Sequence, residues 1–249
     1  MKSNELTPIV KINQLWVKRD DLFTMAGVCG GKARTCWGLA QRARGLVTAG
    51  SRTSPQINIV SHIAQHLGIP CRAHCPTGEL SPELVNAQKQ GAEIIQHSAG
   101  YNTVIKARAN GDAVAHKWTY IPFGMECQQA VADTSCQVKD LPDKIKRVVM
   151  VVGTGIQLCG VWWGLWNAHK NIPVVGIRVG ADPTKTIAHF IGDGLRAPTN
   201  IEIIDCKIPY HVATPHVWNG IDLDPIYEAK VIPFLRDGDL FWIVGRRVT

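Results

Sequence analysis

The chain has 249 residues, of which 45% are hydrophobic and 19% are charged, so it can bury a sizeable core and lacks the composition of a disordered protein. Its 27 Lys and Arg against 20 Asp and Glu give a formal net charge of +7, which favours anionic partners such as phosphates, carboxylates or nucleic acid, although dispersed basic residues also fit a positive surface without a specific partner. Residues 1–18 lack the apolar core of a signal peptide and no apolar run reaches membrane-spanning length, so we expect a cytoplasmic protein without membrane association.

Short apolar runs alternate with helical patterns along most of the chain. Strands are predicted at residues 12–19, 46–49, 69–73, 92–96, 118–121, 147–152 and 173–179. Helices are predicted at residues 32–44, 56–67, 82–90, 101–109, 127–138 and 161–169. Residues 185–225 are rich in Pro and Asn and have the weakest pattern. The alternation favours an α/β fold with parallel sheets flanked by helices.

Eight cysteines are scattered along the chain without a C-x-x-C pair. In a chain of this size without a signal peptide, that pattern is typical of reduced thiols. Cys71 and Cys75 lie close to His74 in the sequence, but no second ligand pair follows at the spacing of a zinc site. No metal site is therefore predicted.

The segment VVGTGIQLCG follows a predicted buried strand and opens a helix. Its small residues let backbone N–H groups approach a phosphate, which the helix dipole also favours. A dinucleotide fingerprint would need a glycine closer to Gly155 than Gly160 is, and an acidic residue near Arg178 at the end of the next strand. The segment predicts a site for a single phosphate, and a tight turn without a ligand is the alternative.

Two segments nearer the N-terminus could also carry chemistry. Lys32 follows two glycines at a helix start, where a partly desolvated lysine would have a lowered pKa and could form a Schiff base; a solvated lysine is the alternative. The hydroxyls and amides of residues 51–56 suit a carboxylate or phosphate, and simple capping of a helix by Ser54 is the alternative.

The segment DPIYEAK near the C-terminus places Glu228 next to Tyr227. A carboxylate beside a pyridine nitrogen would keep that nitrogen protonated and strengthen an electron sink. The start of a surface helix is the alternative interpretation.

Taken in order, these segments resemble the fold-type II (tryptophan synthase β-like) family of pyridoxal 5'-phosphate (PLP) enzymes, and within it the aminocyclopropane-carboxylate (ACC) deaminase and D-cysteine desulfhydrase branch. LWVKRDDLFTMAGVCGGKAR resembles that branch's lysine region, and TAGSRTSPQINIVSHIAQHLGIPC its substrate loop and helix. GTGIQLCG is similar to its phosphate loop, DPIYEAK to its DPVYEGK stretch, and GDLFWIVG to its last strand.

The resemblance implies PLP as cofactor and a role for each matching residue. Lys32 would hold PLP and shuttle the α-proton, Glu228 would face the pyridine nitrogen, and Tyr227 would lie beside the substrate. Ser54 would handle the substrate carboxylate or act in acid–base catalysis. The cofactor phosphate would be bound by Gly153, Thr154, Gly155 and Gln157. Beside Ser54, the substrate-binding residues would be Arg52, Thr53 and Gln56.

The chain departs from the family pattern at several positions. Pro55 stands where the family has an Asn that contacts the cofactor ring, and Ile156 replaces a glycine. Gly245, Arg246 and Arg247 replace the family's HTGG, and the chain is shorter than typical members. The resemblance further implies a large cofactor lobe of residues 1–45 and 123–249, an inserted small lobe of residues 46–122, and a homodimer.

The resemblance leaves three functions open. The first is a lyase or deaminase that forms an aldimine with an amino-acid group and breaks a bond at Cα. The second rests on a resemblance to compact PLP proteins of bacteriophages that hypermodify thymine, and is a DNA hypermodification enzyme in the host cytoplasm, acting by decarboxylation on an amino acid attached to thymine. The positive charge, Arg52, Pro55 in place of the family's Asn and the shorter chain favour it. The third is a catalytically degenerate protein of the same fold that only binds a ligand.

Overall fold

The computed structural model describes residues 5–98, 102–192 and 200–247. By their internal contacts these residues divide into two units. The first unit holds Thr24–Met125 and the C-terminal residues from Arg247, and the second holds the residues up to Phe23 together with Glu126–Arg246. Each contains a largely parallel sheet and several helices, which confirms the predicted α/β class.

The helices and strands of the described residues are numbered in chain order. The strands are β1 (Ile9–Ile12), β2 (Leu15–Arg19), β3 (Thr24–Met25), β4 (Val28–Cys29), β5 (Leu46–Ala49), β6 (Cys71–Pro76), β7 (Ala92–His97), β8 (Thr119–Ile121), β9 (Val148–Val152), β10 (Val174–Arg178), β11 (Ile201–Asp205), β12 (Val217–Trp218), β13 (Ile221–Asp222) and β14 (Leu240–Ile243). The α-helices are α1 (Gly31–Ala40), α2 (Pro55–Leu67), α3 (Pro82–Lys89), α4 (Asn102–His116), α5 (Gln128–Cys136), α6 (Ile156–Asn167) and α7 (Thr184–Ile191). Short 3-10 helices cover Asp20–Leu22, Phe123–Met125 and Glu228–Phe234.

The first unit is built on a parallel sheet in the order β7-β6-β5-β8. Helix α4 packs on one face, where Ala109 meets Val47 and Ala49 of β5. Because side chains alternate along a strand, Thr48 points to the other face, where it accepts a hydrogen bond from Gln56 of α2. The carboxyl ends of the strands carry the loops that lead into the next helices: β5 leads into α2, β6 into α3, and β8 into the 3-10 helix Phe123–Met125.

The second unit is built on a sheet in the order β1-β2-β14-β9-β10-β11, in which β1 is antiparallel and the others are parallel. Strand β9 is buried along its whole length. Its Val149 and Val151 belong to one core cluster, and Met150 belongs to another together with Leu158 of α6. Both faces of β9 are covered, which explains its continuous apolar run.

Two predicted elements, and the glycine expected to end one of them, differ from the structure for local reasons. Residues 12–19, predicted as one strand, are part of the hairpin β1–β2, whose turn holds Asn13 at a φ of 52°, a conformation that Asn tolerates. Residues 32–44, predicted as one helix, are helical only to Ala40. Gly45, expected to stop that helix, serves a different purpose, because a Cβ there would overlap the Trp118 ring.

Residues 185–225, which had the weakest pattern, contain most of α7, the edge strand β11 and the hairpin β12–β13. The edge position explains the weak signal, since Glu202 and Ile203 of β11 are exposed and its apolar pattern is broken. The contact units place residues 24–45 with the first sheet. The lobes inferred from the resemblance, with residues 46–122 inserted, remain a prediction.

All eight cysteines are free thiols, and six are buried. Burial raises the pKa of Cys71 to about 12 and that of Cys159 to about 12. These two thiols are therefore protonated at neutral pH and poor nucleophiles. Within the described ranges, no helix is both long enough and apolar enough to cross a bilayer.

Candidate active site

Lys32 is the second residue of α1 and follows a tight turn. Gly30 precedes the helix with a φ of 91°, which favours glycine because the residue has no Cβ. The Gly30 carbonyl accepts hydrogen bonds from the N–H groups of Ala33 at 3.0 Å and Arg34 at 3.2 Å. Lys32 itself is half-buried between the buried residues Gly31 and Ala33. The turn thus fixes the point at which the lysine side chain leaves the backbone.

Residues 50–54 join β5 to α2, and we call them the substrate loop. Ser54 caps α2, its hydroxyl oxygen accepting a hydrogen bond from the Gln56 N–H at 3.3 Å, and its own N–H donates to the Ser51 carbonyl at 3.0 Å. The capping interpretation of Ser54 is therefore correct. A hydroxyl that accepts one hydrogen bond keeps its proton to donate, so capping and a contact with substrate are compatible.

Arg52 and Thr53 lie at the tip of the substrate loop. The Arg52 Nη1 donates to the Glu79 carbonyl at 3.0 Å, and the guanidinium covers Gly78 so closely that a Cβ there would overlap it. Thr53 is exposed, and its carbonyl accepts a hydrogen bond from Arg247 at 2.7 Å. Arg52 is thus held against a neighbouring loop of the same unit.

Gln56 is buried at the start of α2, with 1% of its surface exposed. Its Nε2 donates to the Thr48 hydroxyl at 3.0 Å and to the Pro122 carbonyl at 2.7 Å, so it joins the ends of β5 and β8. Its Oε1 is buried and accepts no hydrogen bond from the residues that the structure describes. A contact of Gln56 with a ligand would therefore use this oxygen as an acceptor.

The glycine segment predicted to bind phosphate joins β9 to α6. Gly155 immediately precedes α6 with a φ of 90°, and a Cβ on it would lie 2.9 Å from the Pro183 Cβ, so only glycine fits. Gly153, Thr154 and Gln157 are half-buried. In the described part of the chain no side chain caps α6. The N–H groups of its first turn and the positive end of its dipole suit an anion.

Glu228 is a buried carboxyl, with 4% of its surface exposed. Burial and then the negative charge of Asp224 raise its pKa well above the usual range, although the backbone N–H groups of Glu228 and Gly245 donate to it. Across the described ranges, no basic side chain forms an ion pair with Glu228. A proton-bearing nitrogen placed beside this carboxyl would supply a partner that the described residues do not provide.

Asp224 fixes the turn that leads into the 3-10 helix of Glu228. Its Oδ1 accepts hydrogen bonds from the N–H groups of Ile226 at 2.8 Å and Tyr227 at 3.1 Å. Asp224 therefore sets the backbone of Tyr227 and Glu228 while its charge acts on the Glu228 carboxyl.

Tyr227 lies over the glycine loop. A Cβ added to Gly153 would be 3.6 Å from its Cε1, and its hydroxyl donates to the Tyr210 hydroxyl at 3.1 Å. The two rings meet edge to face, with centroids 5.6 Å apart. The Nζ of buried Lys230 donates to the backbone carbonyls of Pro209 at 2.9 Å and Tyr210 at 3.2 Å, which holds Tyr210 in place.

The structure groups the predicted residues within each unit. In the second unit it brings Tyr227 against Gly153 and next to Glu228, close to the start of α6. In the first unit it joins Ser54 to Gln56 by a hydrogen bond. Lys32, Arg52, Thr53, Ser54 and Gln56 belong to the first unit, and Gly153, Thr154, Gly155, Gln157, Tyr227 and Glu228 to the second. Sequence reasoning missed Tyr210, which lies in the weakly patterned segment.

The second unit contains a glycine turn that opens a helix, and a buried carboxyl that follows a tyrosine lying against this turn. Together with the α/β fold, this arrangement defines a class of protein that can receive a phosphate-bearing group. The sequence matches the family of pyridoxal-phosphate dependent enzymes over residues 1–223. The chain belongs to this family, and PLP is its cofactor. A comparison with curated proteins finds no match.

Solved structures of PLP enzymes have the same fold. An ACC deaminase homologue is similar with a TM-score of 0.79 and 22% identity, over 97% of this chain and 89% of that one. Serine racemase from Dictyostelium discoideum has a TM-score of 0.70 and 14% identity, over 98% and 92% of the two chains. Diaminopropionate ammonia lyase from Escherichia coli, in complex with an aminoacrylate–PLP azomethine reaction intermediate, has a TM-score of 0.70 and 10% identity, over 98% and 84%. The resemblance to fold-type II enzymes is confirmed.

The residues present fit PLP. The uncapped start of α6 and the glycine-restricted turn before it match the needs of a phosphate. Glu228, buried without a basic partner in the described residues, matches a protonated pyridine nitrogen. Lys32 is a half-buried lysine on a fixed turn.

Proposed function

We propose that the chain is an enzyme that breaks a bond at the Cα of an amino-acid substrate, in a reaction of the lyase or deaminase type. Glu228 carries this proposal. It is a buried carboxyl with a raised pKa, and no basic side chain among the described residues forms an ion pair with it. It follows Tyr227, which lies against the glycine loop. The ACC deaminase homologue and the ammonia lyase, whose names describe removal of nitrogen, support this reaction type.

PLP, when bound, supplies an electron sink that stabilises negative charge at Cα. Lys32 then holds the cofactor and moves a proton at its Nζ. Gly153, Thr154, Gly155 and Gln157 bind the phosphate, and Glu228 keeps the ring nitrogen protonated. Loss of the α-proton is common to elimination and racemisation, so the same lysine serves either outcome.

Ser54 and Tyr227 are assigned to the substrate. The Ser54 hydroxyl accepts from the Gln56 N–H and still has its proton to donate to a carboxylate. The Tyr227 hydroxyl donates to Tyr210, and a phenol oxygen is the kind of group that can accept a hydrogen bond from a substrate. Arg52, Thr53 and Gln56 complete the substrate-binding set.

The first experiment is the near-ultraviolet and visible spectrum of the protein supplied with PLP, followed by borohydride reduction and peptide mapping. We expect absorbance from the bound cofactor and a label on Lys32. Lys32→Ala should lose the label, whereas Lys89→Ala, an exposed lysine of the same unit, should keep it. Absence of both absorbance and label would support the degenerate binding protein instead.

The reaction type is tested by offering free amino acids and, in parallel, duplex DNA that carries an amino acid on thymine. Release of ammonia and a 2-oxo acid from a free amino acid supports the proposal. Inversion of the amino acid without release of ammonia would indicate a racemase instead, and release of carbon dioxide from the DNA-borne amino acid would support the DNA-modifying enzyme instead. Of the features that favoured DNA, the net charge of +7 remains, whereas Arg52 is already bonded to the Glu79 carbonyl.

A further inference from the structure

Two successive carbonyls of the substrate loop are held by side chains from other segments. The Arg52 carbonyl accepts a hydrogen bond from the Ser81 hydroxyl, and the Thr53 carbonyl accepts one from Arg247 Nη1 at 2.7 Å. Both donors belong to the first unit. Neither contact is visible in the sequence, where Arg247 stands only as a departure from the family's HTGG.

Fixing a carbonyl also fixes the amide that follows it. A trans peptide is planar, so its N–H points opposite to its C=O. The contact of Arg247 with the Thr53 carbonyl therefore sets the N–H of Ser54, which donates to the Ser51 carbonyl at 3.0 Å. That hydrogen bond closes the turn in which Ser54 caps α2. Arg247 thus acts on the part of the loop assigned to the substrate.

Arg247 is itself held by an ion pair. Its Nη1 also donates to the Glu83 carboxylate, in an ion pair whose side chains are only 11% and 7% exposed. Glu83 lies in the first turn of α3, which Ser81 caps by accepting from the Leu84 N–H at 3.3 Å. The same helix start therefore holds the substrate loop by two routes, directly through Ser81 and indirectly through Glu83 and Arg247.

The chemistry of the contact suits arginine. Nη1 carries two N–H groups, so this one nitrogen can donate to both the Thr53 carbonyl and the Glu83 carboxylate, and the planar guanidinium gives the two N–H groups fixed directions. A lysine keeps the charge but is a flexible point donor, and a glutamine loses the charge.

We infer that Arg247 is a positioning residue for the substrate loop. Through its hydrogen bond to the Thr53 carbonyl it orders this loop, which binds the carboxylate of the substrate. The inference rests on the proposed function, because it assigns the loop to the substrate. Its effect falls on substrate binding, whereas PLP is held by other residues.

The test of loop order is hydrogen–deuterium exchange of the amides of residues 50–54 and 56, measured on the whole chain. Arg247→Gln should raise their exchange rates about tenfold, as expected for the loss of one charge-assisted hydrogen bond. Arg247→Lys should give a smaller rise. Arg246→Gln, an exposed neighbour, is the matched control and should leave the loop unchanged.

The test of substrate binding follows the absorbance of the PLP-loaded protein during titration with glycine and with D- and L-serine. For Arg247→Gln we expect the half-saturating concentration to rise about tenfold, while the dissociation constant of PLP stays within about twofold. Arg247→Lys should recover part of the affinity, which a loss of general stability would not produce.

The outcomes separate the two hypotheses. If Arg247→Gln matches Arg246→Gln in both loop exchange and amino-acid titration, the inference is wrong. If the wild type itself shows no cofactor absorbance, the proposed function fails, and the exchange rates alone still decide whether Arg247 orders the loop. Should Arg247→Gln fail to fold, Glu83→Gln carries the test. This variant weakens the ion pair that holds Arg247 and alters no residue of the substrate loop, so the loop amides should still exchange faster. Unchanged exchange of the loop amides would also overturn the inference.

Discussion

At Gly155 the backbone φ of 90° and the neighbouring Pro183 together exclude a side chain. A left-handed conformation costs an L-residue about 1–2 kcal/mol, and the contact at 2.9 Å with the Pro183 Cβ adds to it. We expect Gly155→Ala to lower the free energy of unfolding by at least ~1 kcal/mol and to weaken PLP binding, because the turn before α6 must shift. Urea unfolding and the dissociation constant of PLP measure the two effects.

Gly111 provides the control for this substitution. It lies exposed within α4, and a Cβ there would meet nothing within 4 Å. Gly111→Ala should therefore stabilise the protein by roughly 0.5–1 kcal/mol, since alanine favours a helix interior. If Gly155→Ala were as stable as the wild type and bound PLP as tightly, the turn would not be needed for the phosphate.

Individual site residues were predictable where a motif carries them. Glu228 and Gly155 follow from the segments around them, but the raised pKa of Glu228 does not, because it depends on burial and on contacts with Asp224 and Gly245. Tyr210 has no sequence signal, since its place beside Tyr227 depends on the loop that Lys230 holds.

At the scale of elements, β6, β7 and α4 share a chain of hydrogen bonds. Arg108 Nη1 lies 3.0 Å from His97 Nδ1, His97 Nε2 lies 2.8 Å from His74 Nδ1, and His74 Nε2 lies 2.9 Å from Asp112 Oδ2. An arginine can only donate, so the chain runs one way, and both imidazoles must be neutral with the proton on Nε2. Arg72 Nε also donates to Asp112 at 2.7 Å.

This chain of hydrogen bonds predicts a loss of stability in acid. Burial lowers the pKa of His97, as do the charge that His74 would carry if it were protonated and the permanent charge of Arg108. The folded state therefore binds fewer protons than the unfolded state below the ordinary histidine pKa of about 6.5, and stability present above that pH is lost as the pH falls. The free energy of unfolding should drop between about pH 7.5 and 5.5, and His97→Gln should reduce the drop.

Two other titratable groups and one control variant bear on this prediction. Burial also lowers the pKa of His62, so part of the drop should remain in the variant. Asp112 does not contribute in this pH window. Burial alone would raise its pKa, but the hydrogen bonds from His74 and Arg72 outweigh burial, so the pKa lies below the usual carboxyl range. His211→Gln, an exposed histidine, should follow the wild type. Equal pH profiles for His97→Gln and the wild type would show that the chain of hydrogen bonds does not control acid stability.

The central strands of the second sheet were predictable from their sequence. Strands β9 and β10 were placed to within a residue, because a strand covered on both faces gives a continuous apolar run. The edge strand β11 was missed, since partial exposure breaks its pattern, whereas helix α7 was missed although its sequence is amphipathic. The sheet order was not predictable, because β2 and β14 lie at opposite ends of the chain and are neighbours only through the fold.

At the scale of the whole molecule, the net charge of +7 predicted an anionic partner. The phosphate of PLP is one such partner. Some of the basic residues are paired internally, as Arg147 is with Asp239 and Arg247 with Glu83. Three expectations remain predictions: a DNA-borne substrate, a homodimer and a cytoplasmic location. The side-chain contacts within the described residues do not test any of them.

The binding of PLP should stabilise the entire protein. A ligand that binds only the folded state adds about 2.7 kcal/mol when its free concentration is 100 times its dissociation constant. For a chain of 249 residues, 1 kcal/mol corresponds to roughly 2–4 °C in Tm, so saturating PLP should raise Tm by about 5–10 °C. Pyridoxal, which lacks the phosphate, should raise Tm less at the same concentration, because it cannot use the start of α6. Lys32→Ala should also show a smaller rise with PLP. Equal shifts for PLP and pyridoxal would show that the glycine loop does not bind the phosphate.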